Sequence, residues 1–248
     1  MIPRAWKHPT GKSPKTVHLV CLGPSHHDYD QAWLTPETPE LLASADEIWT
    51  LNRGVFNIPH DLLFVLDHIQ GEADNFPVYG ARLWNHDRHI ITSDNCDGWP
   101  PHVHQYPFGE IYSWMQRWPK IKWQDPITGV EYETGGPPAH GDWFVNSVSF
   151  IVCYAAYVGV KKLNVWGGDY HHHKSGRVED GHPNVSYWTG AVERMTGIQI
   201  GGPGSSTFLD SNMRHYIYGF QKDPRPQSVA RRAAFKRLAG IDKGEGDG

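Results

Sequence analysis

Cysteine is scarce: the 248 residues contain three, Cys21, Cys96 and Cys153, far apart and without a CxxC pair. That count excludes a disulfide-stapled scaffold and a thiolate zinc site, and it predicts a reducing, cytoplasmic location. Long apolar runs are also missing, and none approaches the roughly 18 residues a membrane span needs. The opening MIPRAWKHPTGKSPK is basic but has no apolar stretch of signal-peptide length. There is no basic excess: the formal net charge is −4, so nothing asks for bulk nucleic acid as a partner. No GxGxxG follows a strand, and GxxxxGK[ST] and HExxH are absent, which removes a dinucleotide fingerprint, a P-loop and a zinc-protease helix.

What is present begins with 39% hydrophobic residues, enough for a core in one domain. Residues 1–15 carry Pro, Gly and Lys without periodicity and read as an extended arm. Val17 to Leu22 is an apolar run ending at Gly23-Pro24-Ser25, the form of a buried strand entering a loop. Thr35 is a possible cap for a helix over Pro36 to Ala45. Further strands are predicted at Glu47–Leu51, Leu62–Leu66 and His89–Ser93. Residues 95–142, rich in Trp, His, Pro and Gly, read as a lid or insertion.

Asp142 to Val158 has apolar residues at helical spacing, with Gly159 as its stop. Lys162–Trp166 is a strand that runs into Gly167-Gly168-Asp169-Tyr170. Tyr187–Thr196 is a helix closed by Gly197, and Ile198–Ile200 is a last short strand. The domain is read as 16–220, with 221–248 as a tail. That tail holds a basic helix, Ser228–Leu238, and a disordered end from Lys243. Alternating strands and helices predict an α/β fold with an open, mostly parallel twisted sheet and helices on both faces.

Several strands end on small or polar residues, and in such sheets ligands bind outside the carboxyl ends of the strands. Gly23 permits close backbone approach and Ser25 offers a hydroxyl, although the same three residues describe an ordinary turn. Asn52 and Arg53 can read a base edge or a phosphate, or cap a turn. Asp67 and Asp169, each at a strand end, can together hold a divalent cation that bridges phosphates, or serve as caps. His171-His172-His173 cannot all face one metal from a regular element, because neighbours point in different directions. His182, on a loop before a helix, is placed for a general base, or is simply a surface histidine.

Taken in order, these pieces resemble two related groups: the bacterial CMP-sialic-acid-dependent sialyltransferases and the 6-hydroxymethylpterin diphosphokinase-like proteins. The pieces shared by both are Cys21-Leu22-Gly23-Pro24-Ser25 and Leu51-Asn52-Arg53, and the diphosphokinase-like members add a strand ending in Asp, matched by Val65-Leu66-Asp67. They continue with Asn146-Ser147-Val148 opening a helix, and with Gly159-Val160-Lys161-Lys162 leading to Gly167-Gly168-Asp169-Tyr170. The resemblance implies a Rossmann-like fold and a transferase with a nucleotide-linked donor. Gly23, Pro24, Ser25, Asn52, Arg53, Asp67, Asn146, Ser147, Gly168 and Tyr170 would hold the nucleotide. Asp169 and His182 would be catalytic, His182 deprotonating an acceptor hydroxyl on a small molecule or glycan. The diphosphokinase alternative implies ATP, with Mg²⁺ held by Asp67 and Asp169. A nucleotide sensor without catalysis and a His-rich metallohydrolase are the other classes.

Overall fold

Leu62, Leu63, Phe64 and Val65 are buried on both sides of one strand, which is what a central strand of a parallel sheet demands of its sequence. In a computed structural model the described residues are 6–23, 28–30, 45–119, 121–124, 131–134, 146–169, 171–172, 177–178, 182–203 and 208. All lie in one compact unit, Met1–Leu209.

In chain order the elements begin with strands β1 (Thr16–Val20), β2 (Glu47–Leu51) and β3 (Leu62–Val65). Helices α1 (Ile69–Asn75) and α2 (Pro77–Trp84), strands β4 (His89–Thr92) and β5 (Val103–Gln105), and helix α3 (Phe108–Met115) follow. Then come β6 (Ile121–Gln124), β7 (Glu131–Thr134), α4 (Ser147–Val158) and β8 (Lys162–Trp166). Last are β9 (His171–His172), β10 (Arg177–Val178), α5 (His182–Thr196) and β11 (Gln199–Gly201).

Seven strands form one sheet in the order β11-β8-β1-β2-β3-β4-β5. Every pair in it is parallel, so the architecture is an α/β, Rossmann-like doubly wound sheet. Among the described residues no helix is long and apolar enough to cross a membrane.

Side chains alternate across the sheet as strand geometry requires. Val17, Leu19 and Cys21 face the cluster that includes Val148, Val152 and Trp188 of α4 and α5. Val20 faces the other way, towards Tyr29, Ile58 and Trp166. Helix α4 is apolar almost all round because it is covered on several sides, by the sheet and by α3 and α5. Asn146 caps its start, and Gly159, at φ 92°, ends it in the left-handed conformation that glycine adopts most readily.

Three expectations change. Residues 103–118 are not part of an insertion: β5 pairs with β4, and Tyr106, Ile111, Met115 and Trp118 belong to the core. The strand was hidden because it lies at the sheet edge and buries only Val103 of its three residues. Within the rest of the expected lid, the described residues form an antiparallel pair, β6 with β7. Secondly, α5 starts at His182 and not at Tyr187. Pro183 sits in its first turn, where a missing N–H costs nothing, and this polar turn lacks the apolar rhythm of the rest. His182 therefore opens a helix; it does not precede one on a loop.

Thirdly, the N-terminal arm is docked. Trp6 packs edge-on against Tyr154, with centroids 5.5 Å apart. His8 bridges Glu47 Oε2 at 2.8 Å and the Tyr154 hydroxyl at 2.6 Å. The expected helix over 36–45, apart from Ala45, and the tail from 221 lie outside the described residues.

Glu47 is the buried anchor of that arm. It accepts from Thr10 Oγ1 at 2.5 Å and from Trp49 Nε1 at 2.7 Å, besides His8. Burial alone would raise its carboxyl, but the bonds from His8, Thr10 and Trp49 outweigh it and hold the group below the usual range. Glu47→Ala strands three donors in the interior. It should cost about 3 kcal/mol, as leaving buried donors without their acceptor typically does. Urea unfolding at pH 7 measures the loss. A midpoint within error of wild type would show that the arm is not held this way.

Candidate functional site

The chain leaves β1 towards β2 on one side and returns later to β8 on the other. The two strands are neighbours whose onward connections diverge, and a crevice opens at such a switch point beyond their carboxyl ends. The loops after β1 and β8 line it. They continue the strand pairing for one more step each, with Cys21 N donating to Trp166 O at 2.7 Å and Gly23 N to Gly167 O at 2.8 Å.

Gly23 is glycine for a steric reason. A Cβ there would stand 2.5 Å from Gly167 O and 2.8 Å from Asp169 Oδ2. Gly167, at φ 66°, turns the β8 loop so that Asp169 comes back over Gly23. Two residues predicted from separate ends of the sequence, Gly23 and Asp169, are thus in contact. Gly168 differs. A Cβ on it would meet Val165 Cγ1 at 2.8 Å and Phe208 Cδ2 at 3.2 Å, so the core requires that glycine. Pro24, Ser25 and Tyr170 lie outside the described residues.

Asn52 follows β2 at φ 48°, a left-handed conformation that asparagine tolerates better than most residues. Its Nδ2 donates to Asp67 Oδ2 at 3.0 Å, which joins the ends of β2 and β3. Its Oδ1 is buried and has no hydrogen-bond partner among the described residues. Arg53 points outward, with its guanidinium 4.3 Å above the Phe76 ring. The bond to Asn52 ties Asp67 to the β2–β3 side of the mouth, whereas Asp169 lies over Gly23 on the β1–β8 side. No group of three His, Cys, Asp or Glu able to hold a metal exists among the described residues. The expected Asp67–Asp169 cation bridge finds no support in this arrangement.

Two helices begin at the same edge of the sheet. Helices α4 and α5 each run back to a parallel strand, β8 and β11, so their N-termini lie at the carboxyl ends of the strands. Asn146 Oδ1 accepts from Val148 N at 2.8 Å, which spends the cap oxygen on the helix itself. Ser147 is the first helical residue. His182 opens α5. A hydrogen bond between the buried Ser149 and Asn184 side chains joins the first turns of the two helices. Sequence reasoning missed this pair. The only available signal was one serine, Ser149, within an otherwise apolar, buried stretch of α4.

No family model matches the chain, and no curated protein does. Among solved structures, it is similar to an α-2,3-sialyltransferase from Campylobacter jejuni in apo form. That match has a TM-score of 0.46 and 10% identity, and covers 91% of this chain and 96% of that one. It is also similar to the sialyltransferase CstII from Campylobacter jejuni in complex with cytidine-5'-monophosphate, at TM-score 0.43 and 11% identity, covering 88% and 99% of the two chains. The same enzyme with CMP-3FNeuAc matches at TM-score 0.47 and 13% identity, covering 89% and 98%. The fold assignment stands on the strand order and not on these matches.

Proposed function

We propose that the chain is a transferase that takes a nucleotide-linked donor and moves its glycosyl group to an acceptor hydroxyl. The observation that carries this reading is the contact of Gly23 with Asp169 at the β1–β8 switch point, the place where sheets of this kind bind their ligands. The starts of α4 and α5 stand at the same edge. Helix N-termini favour anions because their first N–H groups lack partners within the helix, so the donor phosphate belongs before Asn146 and Ser147. Gly23, Ser25 and Asn52 would hold the nucleoside, the orphaned Asn52 Oδ1 accepting from a base amine or a ribose hydroxyl.

In the reaction the acceptor oxygen bonds to the donor's anomeric carbon as the bond from that carbon to the phosphate oxygen breaks. His182 takes the acceptor proton, and the nucleotide leaves with the bonding electrons. Asp169 lies beside the reacting centre and keeps the β8 loop closed over Gly23.

A thermal-shift panel of CMP, CDP, CTP, ATP, GTP, UDP and sugar nucleotides, with Mg²⁺ or with EDTA, tests this reading. A ligand at one hundred times its Kd stabilises by about 2.7 kcal/mol, which raises the melting temperature by roughly 5–10 °C in a chain of this size. The expected result is such a rise with a nucleotide or sugar nucleotide, retained in EDTA. A rise that needs Mg²⁺ and ATP would shift the assignment to pyrophosphoryl transfer. No rise with any compound would end the nucleotide reading.

A further inference from the structure

We infer that the hydrogen bond between Ser149 and Asn184 is a positioning element of the site, one that sets the start of α5, and with it His182, against the start of α4. This rests on the proposed role of His182. The carrying observation is where the bond lies. Ser149 is three residues beyond the Asn146 cap, and Asn184 is two residues beyond His182, about 3 Å along the helix axis. The link therefore joins the two first turns at the edge where the crevice opens, and not the middle of the helix pair.

Deeper along the pair the contacts are apolar: Val152, Ala155 and Ala156 of α4 share a cluster with Val185, Trp188 and Val192 of α5. Apolar packing is non-directional and tolerates sliding, whereas a hydrogen bond fixes register. Burying a hydroxyl and an amide also costs free energy unless each is bonded. Ser149 is fully buried and Asn184 is 6% exposed. Such a pair in an otherwise apolar seam is accounted for by the register it sets. Asn184 is a positioning residue and acts only through His182 and the helix start.

The test uses the full chain with ¹³C-labelled histidine, the His182 ring signal being assigned by its loss in His182→Gln. Turnover is followed as release of CMP from CMP-N-acetylneuraminic acid. Ser149→Ala and Asn184→Ala should displace or broaden the His182 signal. They should lower kcat by roughly 10- to 100-fold with KM within about twofold, as small misplacements of a reacting group do. Ser149→Thr, which keeps the hydroxyl, should restore both, and the double variant should be no worse than either single one. Glu47→Gln serves as the control: it should lower the melting temperature without moving the His182 signal.

An unmoved His182 signal in both alanine variants overturns the inference, as does Ser149→Thr behaving like Ser149→Ala. If His182→Gln turns over like wild type, or if no form releases nucleotide from CMP-N-acetylneuraminic acid or from any sugar nucleotide of the thermal-shift panel, the transferase reading falls instead. The ring signal then still decides whether the bond positions His182.

Discussion

Gly23→Ala should lower nucleotide affinity at least tenfold and destabilise the fold by about 1–3 kcal/mol, the usual range for a side chain forced into filled space. The first atom a new methyl would meet is Gly167 O, 2.5 Å away, and the next is Asp169 Oδ2 at 2.8 Å. The first is backbone, and Asp169 Cβ follows at 2.9 Å, so turning the Asp169 carboxylate aside gives no relief. Gly167 O accepts from Gly23 N at 2.8 Å, so moving it away breaks the bond that closes the two loops. Relief must come from separating the β1 and β8 loops, which opens the crevice.

Gly168→Ala gives the comparison. Its methyl would press on Val165 and Phe208 in the core, so it should destabilise to a similar degree while leaving affinity within about twofold once the protein is folded. Isothermal titration with the best ligand of the thermal-shift panel, together with urea unfolding, separates the two effects. Equal loss of affinity in both variants would show that the β1–β8 crevice is not the binding site.

The contrast between these two glycines also marks how far the sequence can be read. Strands β2 and β8 have the boundaries that the sequence predicts, because each is a short stretch rich in apolar and β-branched residues that stops abruptly at small or polar residues. The edge strand β5 buries one residue of three and leaves no such trace. At the site, Gly23, Asn52, Asp67, Asn146 and Asp169 were legible singly as polar or small residues at element ends. Their grouping was not. Gly23 touches Asp169 only because β8 is inserted beside β1, a pairing set by topology across most of the domain. The Ser149–Asn184 bond belongs to the same class, since nothing local in either helix points to the other. For Gly168 the sequence shows only a small residue after a strand end, and the packing of Val165 and Phe208 where its Cβ would stand comes from the tertiary structure.

Stability should fall steeply as the pH drops from about 6.5 to about 4, because several histidines are folded into places that disfavour their charged form. His18, in the middle of β1, is fully buried between Tyr29 and Trp166, and neither ring nitrogen has a hydrogen-bond partner among the described residues. Burial and then the charge of Lys162 push it down to about 4. His86 is also pushed down to about 4, first by burial and next by His60. It pairs with His60, the two Nε2 atoms being 2.9 Å apart. His60 Nδ1 lies 2.5 Å from Ile58 O and must carry a proton to bond there. Its Nε2 is then the acceptor, His86 Nε2 the donor, and His86 Nδ1 is buried without a hydrogen bond among the described residues, 3.7 Å from Asp87 Oδ1. A proton on His60 Nε2 abolishes that acceptor.

His89 and His104 form a second such pair at 2.9 Å, and burial lowers both, as it does His60. The charged or titratable groups facing these rings are Asp61, Asp87, Arg82, His102, His8 and Glu47. The sign follows from the lowered values. Above pH 6.5 both folded and unfolded chains hold neutral rings, and nothing is lost. Below it the unfolded chain takes up protons that the folded chain refuses, so stability declines until the folded groups titrate near 4. Each refused proton contributes a slope of about 1.4 kcal/mol per pH unit, so His18 alone accounts for about 3 kcal/mol across the window.

His18→Leu removes two orphaned nitrogens from the core. It should raise the urea midpoint at pH 7 and flatten the decline between pH 6.5 and 4.5, since an apolar group of similar shape suits an apolar site better than an unbonded polar one. Urea midpoints collected at half-unit steps from pH 7.5 to 4.5 for wild type and His18→Leu measure both changes. A wild-type midpoint that stays level across this range would contradict the burial of neutral rings, and an equally steep decline in His18→Leu would place the proton uptake elsewhere.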